Sequence, residues 1–179
     1  MALNAYMRLT GETQGEIKGS VTQAGREDSI MVIAFSHEVE SPRNVSSGLA
    51  TGKRQHKPLT ITKEIDKSTP LLMNALTNNE NLPEVILQFW QPSRSGREFQ
   101  YYTIELTNAG IVDIHQEMLN NKYPENMQHM EREHISFVYQ KITWTYEDGG
   151  ITSTDEWKTN SIMSTKSNPI IQPKTRLKK

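Results

Sequence analysis

Two histidines and two glutamates crowd into His129-Met-Glu-Arg-Glu-His134. These are the residue types a zinc hydrolase uses, with imidazoles on the metal and a carboxylate taking the proton from bound water. That chemistry needs the histidines four apart on one helical face, and here they are five apart, so the segment reads as a polar loop feeding a strand. Gly48-Leu-Ala-Thr-Gly52-Lys53-Arg54 has the residues of a phosphate-cradling loop. It places three residues between the glycines where four are needed, and Arg54 where a hydroxyl must hold magnesium, so it is expected to be a flexible basic loop. His115-Gln-Glu117 opens like a zinc deaminase site, but the chain has no cysteine to complete one.

The carboxylate pairs Glu131/Glu133 and Asp155/Glu156 stand among polar neighbours that would not raise a pKa, and they read as solvated. No Gly-x-Ser-x-Gly nucleophile elbow is present. The expectation is a protein with no catalytic residues, no metal and no cofactor. Arg43, Lys53, Arg54 and Lys57 form a basic run without interleaved aromatics to stack bases, so nucleic acid is not expected as a partner.

What must position these residues is one domain's worth of chain, 179 residues of 20.5 kDa. The net charge of -1 hides an asymmetry: residues 1–158 carry 15 basic and 21 acidic side chains, and 159–179 carry five basic and no acidic ones. With no cysteine, disulfide scaffolds and thiolate sites are excluded. Met1 to Arg8 shows neither the basic nor the apolar part of a signal peptide, and no run approaches the ~18 apolar residues of a membrane span. The chain is expected to be made in the cytoplasm and, if exported, to leave without a signal peptide. The Asn44-Val-Ser46 glycosylation sequon would then carry no meaning.

Period-two alternation dominates, the pattern of strands with one wet face. It runs through Leu3 to Leu9, Leu59 to Ile65 and Tyr102 to Leu106, and Val112 to Met118 follows Asn108-Ala-Gly110, which reads as a hairpin turn. Ile30 to Ser36 and Val85 to Trp90 are apolar on both faces, which suits a position between layers or at a subunit contact. By parity along the first of these runs, the bulky set Met31, Ile33 and Phe35 is expected in the core, leaving Ser36 outside.

Ile135 to Tyr146 changes its apolar face partway, from Ile135, Phe137 and Tyr139 on one parity to Val138, Ile142, Trp144 and Tyr146 on the other. A one-residue bulge where a strand passes between two sheets would do this. Glu147-Asp-Gly-Gly150 supplies a turn, and Ile151 to Trp157 should pair back. One helix is signalled over about 69–78, with Thr69 as cap, Pro70 in the first turn and Asn78-Asn79 ending it. Residues 37–57 offer almost nothing to bury and read as an extended, structureless loop.

Leu59-Thr-Ile-Thr-Lys-Glu-Ile-Asp-Lys-Ser-Thr-Pro-Leu71, a strand running into a capped helix, resembles the signature of the haemolysin-coregulated protein family, the tube subunit of type VI secretion systems. Tyr101 to Leu106, Ile135 to Tyr146 and the opening Ala2 to Leu9 fall in the same order, so the resemblance covers roughly 1–158. It implies a mainly β fold, a closed barrel of two antiparallel sheets with one short flanking α-helix. It also implies homohexameric rings that stack into a tube, carry small secreted effectors in the lumen, and work with a spike protein and a contractile sheath. The alternative is an autonomous, monomeric ligand-binding β-barrel without enzymatic activity, separable by mass in solution.

On this resemblance the extended loop is expected to make ring-on-ring contacts through Ser41, Arg43, Val45, Leu49, Lys53 and Arg54. Ile86, Phe89 and Trp90 are expected at the subunit interface, and Ser36 on the inner wall of the ring. The basic tail 159–179 runs past the family pattern; with Ile170, Ile171 and Leu177 to bury, it is expected to dock on an acidic surface of the assembly.

Overall fold

The computed structural model describes residues 3–157, so the expected docking of the tail lies outside the described residues. The chain folds as strands β1 (Ala5–Gly11), β2 (Gly15–Ile17), β3 (Ile30–Val32), β4 (Ala34–Ser36), β5 (Val39–Glu40), β6 (Gln55–His56) and β7 (Leu59–Glu64), then helix α1 (Thr69–Thr77). Strands β8 (Leu82–Pro92), β9 (Glu98–Glu117), β10 (Arg132–Tyr146) and β11 (Ile151–Glu156) follow, with a 3-10 turn at Pro124–Asn126 before β10. The main sheet runs β2-β1-β8-β9-β10-β7-β4, all pairs antiparallel, with β3 also on β1 and β11 also on β10. Among the described residues the architecture is mainly β with one α-helix, as expected.

Three expectations about strands are corrected. Asn108-Ala-Gly110 is not a hairpin turn: β9 continues through it for 20 residues, Asn108 taking a left-handed φ of 49°. Here β9 and β10 change their buried parity together, from Leu106 to Ala109 on one and from Ile142 to Tyr139 on the other. The face change expected in β10 is therefore present, but it begins only after Tyr139, so that Val138 and Tyr146 of the expected second set stay exposed, and the register shift lies elsewhere, at Ser136/Phe137. In the segment 30–36 the core takes Ile30 and Val32, while Ile33 and Phe35 are exposed, reversing the expected parity. Pairing explains it: β3 lies on β1 and β4 on β7, so the segment serves two partners and kinks at Ile33 between them.

The third correction is the loop. Residues 37–57 form a projecting β-hairpin arm, not a structureless excursion: β5 pairs with β6, and Arg43 bridges to Ala50 further out. Its tip is tied by Asn44, whose side-chain oxygen accepts from the Ser46 and Ser47 amides at 2.9 and 3.1 Å. A side chain that caps its own turn needs no core to fix the backbone.

The core gathers Met7, Leu9, Ile30, Leu59, Ile61, Leu87, Ile104, Leu106, Ile135 and Phe137, with Leu72 and Ala75 of α1 packed on it. A helix of under three turns is not stable alone, so this apolar edge decides its place. Its N-cap is Ser68, not Thr69. Thr69 is drawn inward, because its hydroxyl donates to Glu133 Oε1 at 2.9 Å and accepts from Lys63 Nζ at 3.1 Å.

Lys63 and Glu133 overturn two readings. Lys63 occupies the inward parity between Ile61 and Ile65 with no exposed surface, while Ile65 is exposed. Glu133, expected on a solvated face, is fully buried with Lys63 Nζ 2.6 Å from its Oε1 and Gln116 donating to its Oε2. Asp66 stands 3.0 Å from Lys63 Nζ. Burial pushes the Asp66 carboxyl up, but hydrogen bonds from Ser68 and Lys63 outweigh it and hold the group below its usual value.

Candidate assembly surfaces

The arm ends in apolar residues that none of the described residues covers. Val45 is fully exposed and Leu49 is 70% exposed, although a turn held by Asn44 would form equally well with polar residues there. Residues 41–53 include Arg43 and Lys53 and no carboxylate, so the tip is apolar and cationic. Ser41, Arg43, Val45, Leu49 and Lys53 all lie along the outer arm. Arg54 does not join them. Its guanidinium grips both oxygens of Asp155 and donates to the Glu156 carbonyl, which places it at the root.

The root is a chain of half-buried polar contacts between the two ends of the arm and the sheet, centred on the buried Tyr139. His37 Nε2 lies 2.7 Å from the Tyr139 hydroxyl, and the same hydroxyl lies 2.8 Å from His56 Nδ1. His56 Nε2 continues to Asp155 at 2.7 Å. The imidazoles stack with centroids 5.9 Å apart, and Trp144 and Trp157 pack around them. Burial, then the neighbouring His56, pushes the His37 pKa down. Burial, then Asp155, pushes Tyr139 up to about 12. Arg54, then His56, holds Asp155 below the usual carboxylate range. Asp155 is thus a paired group, not a solvated one.

A second surface is a hollow lined by Leu3, Val32, Ile33, Phe35, Phe89 and Trp90, among others. Phe35 and Phe89 meet edge to face at 5.4 Å, yet Ile33 and Phe35 remain exposed. Phe89 and Trp90 both line this hollow, while Ile86 sits half-buried further along β8, paired with Arg8. The face of Trp90 is already occupied: Arg26 lies 4.1 Å over it and 4.7 Å over Tyr6, and reaches Glu98. Ser36 is exposed on β4, opposite Thr60.

Among the described residues no group of three or more histidine, cysteine or carboxylate side chains is placed to hold a metal, and no helix is long and apolar enough to cross a membrane. The root network has no signature in the sequence, because its members span positions 37 to 155 and share no spacing. The one available signal is a histidine near each end of the loop, His37 and His56.

The family model described as "Type VI secretion system effector, Hcp" matches residues 6–146. The chain is 44% identical over 167 residues to the "Major exported protein" of Pseudomonas aeruginosa, covering 88% of this chain and 97% of that one. A solved Hcp protein superposes with a TM-score of 0.81 at 33% identity, over 87% of this chain and 98% of the other. The secreted protein Hcp3 of Pseudomonas aeruginosa gives 0.70 at 38% identity, over 87% and 99%.

Proposed function

Because this chain belongs to the Hcp family of type VI secretion proteins, we propose that it is a tube subunit: six copies close into a ring, and rings stack through the arm. The observation that carries the reading is the arm tip, where a firmly rooted hairpin presents Val45 and Leu49 to solvent. Uncovered apolar side chains on a built projection suit a protein contact. The hollow around Phe35 and Phe89 supplies the lateral contact, since closed cyclic symmetry covers such a patch on every copy.

The segment 30–36 supports closure of the sheet into a barrel, because its two halves pair with β1 and with β7 on opposite sides of the sheet path. Within the same reading Ser36 faces the inner wall, small effectors travel in the lumen, and a spike protein and contractile sheath are the partners outside it. The protein acts as a structural element and is exported without catalysing a reaction.

The test is assembly. Light scattering should give about six times the 20.5 kDa chain mass. Replacing Val45 and Leu49 with aspartate should leave that mass unchanged, while stacked rods disappear from electron micrographs and export falls at least about tenfold. A solution mass of one chain would overturn the ring, and rods formed by the double variant would overturn the role of the arm.

A further inference from the structure

We infer that the arm root is a proton-counting latch, which holds the hairpin against the sheet with no added proton or one, and releases it when both His37 and His56 are charged. The latch is independent of tube assembly, because it governs how one chain holds its own arm.

The supply of hydrogens sets its behaviour. Tyr139 has one proton to donate and lies within bonding distance of both imidazoles. With both rings neutral, His37 Nε2–H donates to the Tyr139 oxygen, Tyr139 O–H donates to His56 Nδ1, and His56 Nε2–H donates to Asp155. Every bond is made. A single proton on His56 Nδ1 is absorbed by reversing the relay: that nitrogen now donates to Tyr139, and Tyr139 donates to His37 Nε2, whose hydrogen moves to Nδ1. Every bond is again made.

A second proton cannot be absorbed. His37 Nε2–H and His56 Nδ1–H then both point at the Tyr139 oxygen, and the Tyr139 hydrogen has no acceptor left. Tyr139 is 8% exposed, so water does not readily replace it, and an unpaired buried hydroxyl is costly. Two stacked imidazolium rings also repel at a centroid distance of 5.9 Å. The charged and titratable groups facing the pair are Tyr139 from β10, Asp155 from β11 and Arg54 beside β6. Asp155 already answers Arg54 and contacts His56 but not His37, so it offers the second imidazolium no direct counter-charge.

His37 has a lower pKa with the arm docked than when free, so the docked state takes up its proton less readily. Docking is favoured fully above the ordinary histidine value near 6.5 and is lost as pH falls below it, by up to about tenfold per pH unit. Asp155, held below its ordinary value, keeps its charge through this window and gives way only in stronger acid.

The test is amide hydrogen exchange of the intact chain at about pH 7.5 and about pH 5.5, on either side of the ordinary histidine value, corrected for the intrinsic pH dependence of exchange. Protection of the Val39–Glu40 and Gln55–His56 pair should fall at least about fivefold at the lower pH, while that of the β8/β9 pair stays constant. His37→Gln keeps a donor for Tyr139 but cannot titrate, so it should retain protection at both values. Tyr139→Phe should lower protection at both. Unchanged protection in the parent chain, or an equal fall in His37→Gln, would overturn the latch without touching ring assembly.

Discussion

Lys63→Ala is expected to destabilise the fold by about 3–5 kcal/mol, because it removes one partner of a fully buried ion pair and leaves the other charged. Without Lys63 Nζ, Glu133 retains only the neutral donors Thr69 and Gln116, and the Asp66 carboxylate faces the same vacated space. Glu133→Ala should cost less, since Lys63 keeps Asp66 as a counter-charge. For a chain of this size the lysine variant should melt roughly 6–20 °C lower. The double variant Lys63→Met with Glu133→Leu should recover much of the loss, since the pair's attraction is largely offset by its desolvation. Thermal unfolding of the four proteins decides it, and a Lys63→Ala melting point within about 2 °C of the parent would contradict the account.

Gly19→Ala is expected to cost about 2–4 kcal/mol. A Cβ at Gly19 would collide with the Ser29 carbonyl oxygen and lie 2.6 Å from Ile30 Cα, both backbone atoms that no rotamer change can move. The strand entry at Ile30 must shift, and with it the bond from the Gly19 amide to the Asp28 carbonyl at 2.7 Å. Arg26, wedged between Tyr6 and Trp90, sits on the same excursion. Gly110→Ala is the control: its backbone is not left-handed and nothing lies within 4 Å of its Cβ, so stability should change by under about 1 kcal/mol. Denaturant melts of both variants give the comparison.

What the sequence makes legible is what depends on local pattern. The alternation at Leu59 and Ile61, the proline-led helix and the glycine pair before β11 are visible because neighbours along the chain dictate them. The positions that mislead are those a distant partner decides. Lys63 points inward because Glu133, 70 residues away, meets it there. Ile33 and Phe35 stay outside because β1 and β7 claim the two halves of their segment. Arg54 reads as part of a loop tip, but Asp155 draws it to the root. The apolar and cationic residues of the outer arm, and Phe89 and Trp90 at the hollow beside β8, stand out from polarity and apolar runs alone, whereas the His37–Tyr139–His56 relay does not.

The pairing of β1 with β8, in which Ala5 meets Phe89, has a consequence for how the chain acquires its shape. Strands β8 to β11 follow one another as an antiparallel meander, so they are the part that can form early. While β2 and β3 cover one edge of the N-terminal strand early, its other edge must wait for more than 70 intervening residues before β8 covers it. Contacts of such sequence separation slow folding, because loop closure is paid before they reward it. At roughly 5–20 residues per second of synthesis, the apolar face of Met7 and Leu9 is exposed for several seconds as the chain emerges. Chaperone engagement should therefore map to the first strands, and slowing translation between 12 and 82 should raise aggregation more than slowing it after 92.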